Sequence, residues 1–295
     1  FEVFGRYRNW LSAAGAARER DAQAGTRPQG RPAALPVPEA AYDPVYSTWT
    51  ARHMAVSAEW IERVAPTAVA LGLRTLIVDD GWFDMPDGVG KSYPYMGAYR
   101  PHPKKFPDMA AHVRRVRDTG LRYLLWCAPF RMGLQSELAE RFRPMAALVS
   151  PNDPLRQSMR LDPRHDEVAA YVRELLGRLV GELGLDGLKI DFVGNVGHEV
   201  PEGMDQAVRT RRLGEAFHAL MADVMAGLRA QRPELLIEAR PCYANLANRV
   251  WANCYRCGDV PLNFHANRFH CAYLRRLYPG RAVHSDPILW SPRDP

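Results

Sequence analysis

Two aspartates carry the chemistry most in need of explanation. Asp191 closes the apolar run Gly-Leu-Lys-Ile-Asp-Phe at 187–192, where Lys189 and Asp191 share one strand face because side chains alternate with period two. A lysine in such a run needs a partner. It could form a buried Lys–Asp ion pair that only holds the fold together. It could equally keep a carboxylate ionised, as a nucleophile must be. Asp259 follows Arg256 and Gly258 in Asn-Cys-Tyr-Arg-Cys-Gly-Asp-Val-Pro, as a loop acid, a helix cap or a second functional carboxylate. Facing one cavity, the two acids would be the pair of a glycosidase. One attacks the anomeric carbon; the other protonates the leaving oxygen and then activates water.

Val-Asp-Asp-Gly-Trp-Phe at 78–83 adds two adjacent acids, Asp79 and Asp80. Neighbours on a strand face opposite ways, so both reach one ligand only if the strand breaks, which Gly81 permits. Acids that accept from vicinal hydroxyls, with tryptophan faces under the ring, suit a sugar pocket. Trp49, Trp82 and Trp126 are the candidates for that platform.

The elements that position these groups are short apolar runs at 45–50, 75–80, 122–129, 187–192, 235–240, 255–261 and 282–289. Each reads as a strand buried on both faces. Helical patterns lie between them. Val168 to Leu183 repeats at i, i+3, i+4 and stops at Gly184, while Ser57 and Asp108 stand at cap positions. Alternation of this kind predicts parallel strand–helix units. Polar residues at most strand ends favour a (β/α)8 TIM barrel over an open sheet, since a barrel gathers its site from many strand ends. Seven strands are counted, so the eighth strand with its βα unit is either missing from this chain or assigned wrongly. The Ala/Gly/Pro-rich stretch 11–41 reads as a linker, giving an N-terminal segment at 1–44 and a catalytic barrel at 45–295.

Composition narrows the classes. With 47% hydrophobic and 24% charged residues the chain is a globular protein, and no apolar run reaches the ~20 residues of a membrane span. The charge of +6 comes from dispersed arginines without an aromatic-interleaved basic stripe, so neither nucleic acid nor membrane is an expected partner. No signal peptide is visible, which favours the cytoplasm. Cys254-x-x-Cys257 with His265 and His270 looks like half a zinc site, but it lacks a second knuckle and the histidines fall within a helix pattern. The five cysteines argue against a disulfide framework.

Asp-Asp-Gly-Trp-Phe, Lys-Phe-Pro, Leu-Leu-Trp-Cys-Ala-Pro, Leu-Lys-Ile-Asp-Phe, Arg-x-Gly-Asp-Val-Pro and Val-His-Ser-Asp-Pro occur in this order between Tyr46 and Trp290. In this combination the chain resembles the retaining α-galactosidases of glycoside hydrolase family 36, the melibiases. The resemblance implies Asp191 as nucleophile and Asp259 as general acid/base. It implies Asp79 and Asp80 as galactose ligands, Lys189 and Arg256 as further sugar contacts, and Trp126 as a pocket wall, with Trp49 and Asp286 beside them. It also implies a terminal α-galactoside or oligosaccharide as substrate and double displacement without metal or cofactor. The segment 237–256 departs from the better-known members, as does the lack of room for their flanking β-domains. Relatives that transfer galactose or act on α-glucosides or α-xylosides, and a non-catalytic carbohydrate-binding remnant, are the alternatives. The retaining assignment requires Asp191 and Asp259 roughly 5 Å apart, with Arg256 and Lys189 keeping Asp191 ionised.

Overall fold

The computed structural model describes residues 34–148, 157–193, 212–240, 246–260 and 263–286. The piece at 1–10, the stretch 11–33, Cys242 and the end of the seventh run lie outside them. Among the described residues the strands are β1 (Val45–Ser47), β2 (Thr75–Val78), β3 (Arg122–Cys127), β4 (Arg131–Gly133), β5 (Ala146–Leu148), β6 (Ser158–Leu161), β7 (Gly187–Ile190), β8 (Leu236–Ala239), β9 (Cys254–Arg256) and β10 (Ala282–His284). The seven apolar runs supply β1, β2, β3, β7, β8, β9 and β10, which pair in that order in one curled parallel sheet. Strands β4, β6 and β5 form a separate antiparallel sheet between β3 and the next helix, which no sequence pattern announced.

Helices α1 (Ala58–Ala70), α2 (Met109–Asp118), α3 (Asp166–Leu183), α4 (Leu213–Gln231) and α5 (Phe264–Leu277) connect the parallel strands. Their ends follow the local chemistry. Ser57 Oγ accepts from Trp60 N at 3.3 Å, Asp108 Oδ1 accepts from Ala111 N at 2.9 Å, and Gly184 ends α3 in the left-handed conformation at φ 69°. Their apolar faces cover the sheet, with Val113, Val172, Leu176 and Leu179 fully buried.

Strand alternation sorts the inward side chains into tiers. The lowest is apolar: Ile77, Leu124, Leu236, Cys254 and Ala282 pack with Ala41 into one small cluster. Gly187 shares this level because a Cβ there would collide with the Leu236 carbonyl of the next strand. Two residues on along each strand lie Asp79, Trp126, Lys189, Glu238, Arg256 and His284, and two further on lie Asp191, Arg240 and Asp286. Lys189 on β7 reaches Asp79 beyond β2, across the intervening β3, and only a concave face allows that reach.

β1 and β10 are the edges of this sheet. The linker expected up to residue 41 is engaged with the sheet from Leu35 onward. Leu35 N donates to Arg249 O at 2.6 Å, Asn253 Nδ2 to Pro36 O at 2.9 Å, and Tyr42 Oη to Gly280 O at 3.3 Å. His284 Nε2 lies 3.1 Å from Ala41 O, Arg281 donates to Leu35 O, and Arg122 bonds Asp43 at 2.6 Å. A strap thus crosses the N-terminal ends of the strands and buries Leu35 and Ala41. Its composition looks like a linker because it docks mainly through main-chain oxygens.

Candidate active site

Asp191 lies one residue beyond β7, at the C-terminal end of the sheet. Its Oδ1 accepts from Phe192 N at 2.7 Å and from Arg240 Nε at 2.9 Å; its Oδ2 accepts from Trp126 Nε1 at 3.2 Å, its one hydrogen bond among the described residues. Burial alone would raise this carboxyl. The charges of Arg240, Lys189 and Arg256, with the Phe192 amide, outweigh burial and hold it at about 2. The neighbouring Phe192 adopts φ 55°, a left-handed conformation unusual for an aromatic residue. That turn aims its amide at Asp191 and stands its ring edge-on to Trp126 and Tyr93, at 6.0 and 5.9 Å.

The expected Lys189–Asp191 pair does not form directly. Lys189 donates instead to Asp79, and both side chains are sealed from solvent. Asp79 Oδ2 is thereby engaged, its Oδ1 accepts from Asp80 N at 2.8 Å, and its backbone N–H is fixed by Thr48 Oγ1 at 3.0 Å.

Asp80 lies two residues beyond β2, close enough to Asp79 and Asp191 for their charges to act on it. Ser92 Oγ donates to its Oδ2 at 2.5 Å and Gly81 N to its Oδ1 at 2.7 Å. Gly81 makes the expected break at φ 102°, where a Cβ would meet Met54 Cα at 2.9 Å. Lys105 braces the turn by donating to Gly81 O at 2.6 Å and Met54 O at 2.9 Å. Burial, with Asp79 adding to it, lifts the Asp80 carboxyl to about 7 against the pull of Ser92 and Gly81. A raised value means that the folded state holds this proton more tightly than the unfolded chain. The stability it adds is complete below about pH 4 and is lost as pH rises through about 7. Asp80→Asn, which has no charge to bury, should therefore gain on the parent by about 1.4 kcal/mol per pH unit across that window. Urea midpoints at about pH 5 and pH 8 measure this; a constant offset between the two proteins would exclude it.

Asp259 lies beyond β9 in the loop toward α5, with its side chain 61% exposed. Arg256 donates to its Oδ1 at 2.8 Å and Arg240 to its Oδ2. One guanidinium, that of Arg240, thus bridges Asp191 and Asp259. Arg256 also donates to Asp286, whose other oxygen accepts from Val260 N at 2.6 Å, so Asp286 anchors the loop that carries Asp259. Burial raises the Asp286 carboxyl against the attraction of Arg256. Below this level Glu238 meets His284 Nδ1 at 2.5 Å. Burial opposes the charge on both, but their mutual attraction prevails, lowering the acid and raising the base.

The tryptophans part company. Trp126 is buried and gives its indole N–H to Asp191. Trp82 is fully buried, gives its indole N–H to Trp126 O at 2.9 Å and packs on Phe83 and Tyr99. It supports the wall and offers no face to a ligand, contrary to expectation. Trp49 does not end a strand; β1 stops at Ser47, and Trp49 opens the short helix Trp49–Arg52, half-buried with its ring 4.7 Å from His53. Cys254 packs in the apolar tier, whereas Cys257 points to the other strand face beside Asn267. Those thiols do not converge, and among the described residues no His/Cys/Asp/Glu cluster suits a metal. Nor is any helix among them long and apolar enough to cross a membrane.

Sequence reasoning missed Arg240, Ser92, Tyr93 and Phe192. Period two from Glu238 already placed Arg240 on the inner face; what it touches depends on a long flexible side chain.

The melibiase family model matches residues 40–245. α-Galactosidase AgaA of Geobacillus stearothermophilus is 26% identical over 200 residues, covering 65% of this chain and 26% of that protein. α-Galactosidase Mel36A of Lactobacillus acidophilus is 24% identical over 199 residues, covering 65% and 26%. The chain thus spans about a quarter of the length of these relatives. In fold it is similar to the crystal structure of the glycoside hydrolase family 36 enzyme AgaA, with a TM-score of 0.68 at 21% identity, covering 82% of this chain and 34% of that one. The Lactobacillus brevis α-galactosidase structure gives a TM-score of 0.65 at 20% identity, covering 82% and 33%. With the family model spanning most of its length and the inward acids in place at the strand ends, the chain belongs to the melibiase family.

Proposed function

We propose that the protein cleaves terminal α-galactosides with retention, using Asp191 as nucleophile and Asp259 as general acid/base, within a barrel of the (β/α)8 type. The observation that carries this reading is the Arg240 bridge. It joins a buried, ionised carboxylate and an exposed one at the same mouth. Such a span is compatible with the roughly 5–5.5 Å separation of retaining enzymes. Asp191 Oδ2, which among the described residues holds a single long hydrogen bond, is the oxygen that attacks the anomeric carbon. Asp259, in contact with solvent, gives its proton to the leaving oxygen and then takes one from water. Asp79, Asp80, Lys189 and Arg256 contact the ring hydroxyls, Trp126 supports its apolar face, and Asp286 holds the acid/base loop. The relatives named above are α-galactosidases, and AgaA variants have been crystallised with raffinose and stachyose, which supports a galactoside as substrate.

The test compares an aryl α-galactoside, whose phenolate leaves unaided, with raffinose, whose leaving group needs a proton. Asp259→Ala should lose turnover of raffinose by on the order of 10²–10⁴-fold. It should largely keep the first step on the aryl substrate. Equal losses on both would remove Asp259 from the acid role. Parallel assays of the aryl α-glucoside and α-xyloside decide the sugar.

A further inference from the structure

We infer that Arg240 is a displaceable placeholder: its guanidinium lies between Asp191 and Asp259, and an entering sugar ring takes that place as Arg240 releases Asp259. This rests on the functional reading above. The residue belongs to the upper inward tier, immediately after β8, and its side chain is four-fifths buried. Through Nε it holds Asp191 Oδ1 and through a terminal nitrogen it holds Asp259 Oδ2. An oxocarbenium-like transition state develops its positive charge between the same two acids. The protein thus places a cation of its own where the reaction later creates one.

The two ends of the bridge differ in what they lose on release. Asp259 keeps a second cation, because Arg256 donates to its other oxygen at 2.8 Å. Among the described residues, Asp191 has no other cation bonded directly to it; its remaining donors are the Phe192 amide and the Trp126 indole. The Asp259 bond is therefore the cheaper one to break, and the Asp191 bond the one to keep. The guanidinium also has a surface to rest on, since its central carbon lies 5.5 Å from the Phe192 ring centroid. The left-handed turn at Phe192 sets that ring beside Trp126 and Tyr93.

Such a placeholder makes the site sensitive to the charge of its ligand. A neutral sugar only has to push the guanidinium aside. A ring carrying a positive charge must in addition share the gap with it, so removing Arg240 should favour the cation selectively. Calorimetric titration of the full chain with neutral galactose and with the cationic iminosugar 1-deoxygalactonojirimycin reads this directly. In Arg240→Ala the ratio of iminosugar to galactose affinity should rise by about tenfold or more over the parent. Adding guanidinium chloride, but not equal sodium chloride, should lower it again. Arg240→Lys retains a charge that reaches one carboxylate at a time and should fall between; it carries the test if the alanine variant melts without cooperativity. An unchanged ratio in variants that bind both ligands would overturn the placeholder while leaving the galactosidase reading intact. Equal losses for both ligands would make Arg240 an ordinary sugar contact and overturn it too. A cooperatively folded parent that binds neither ligand would overturn both readings, since a placeholder needs a sugar to yield to.

Discussion

Asp191→Ala should abolish galactoside turnover, by on the order of 10⁴-fold or more, in a chain that still melts cooperatively. The loss is large because no other described acid occupies its position, with Trp126, Phe192 and Arg240 all aimed at one carboxylate. The fold tolerates the change because Arg240 keeps Asp259 as partner. Stability should respond to pH in a defined sense. The Asp191 carboxyl sits at about 2, below its ordinary value, so its ionised form adds stability above about pH 4 that is lost as pH falls toward 2. The gap in stability between parent and variant should therefore narrow on acidification below pH 4. Azide, small enough for the vacated space, supplies a second check. Rescue of the variant on an aryl α-galactoside should give the β-galactosyl azide, because the anion attacks from the face that the nucleophile used. Rescue that yields the α-azide would place the nucleophile elsewhere.

Lys189→Met should lower stability by about 3–5 kcal/mol, among the largest losses open to a single substitution here. Lys189 and Asp79 are both buried, and their ion pair spans β7 and β2 across the concave face of the curled sheet. Removing the cation strands an ionised carboxylate with no water to solvate it. The double variant Lys189→Met/Asp79→Leu should recover much of the loss, since two apolar side chains bury without that penalty. Denaturant unfolding of parent, single and double variants decides this; a double variant no more stable than the single one would show that the pair is not the source. The exposed Arg173–Asp223 pair provides the contrast, and its removal should leave the midpoint almost unchanged. Lys189→Met should also raise the acid limb of the kcat/KM profile, because Lys189 is one of the cations that hold the Asp191 carboxyl down.

Much of this architecture is legible in one dimension. Strands buried on both faces announce themselves as apolar runs, and all seven pair in chain order. The caps at Ser57 and Asp108 and the stop at Gly184 are local chemistry and follow their residues. Period two also put Lys189 and Asp191 on one strand face, and both lie on the concave side. What escaped depends on distance along the chain or on side-chain reach. Lys189 chose Asp79, 110 residues away, over Asp191 two residues on, because the curled sheet brings β2 within its span. Trp82 looked like a sugar platform by residue type, yet the turn at Gly81 directs it into the wall. The small antiparallel sheet has strands of three or four residues, too short for any periodicity to register.

The strap beneath the strands has a consequence for how the fold is acquired. Its hydrogen bonds join residues 217, 238, 243 and 246 positions apart. Contacts of such separation form slowly, because the chain between them must already be ordered before closure is rewarded. At a synthesis rate of about 5–20 residues per second, Leu35 waits roughly 12–50 s before Arg281 exists to meet it. Throughout that interval Ala41 and the inward apolar residues of β2 and β3 lack the partners that later come from β8, β9 and β10. The apolar tier at the strands' N-terminal ends is therefore among the last parts to dry, and the nascent chain carries an exposed apolar surface until β10 arrives.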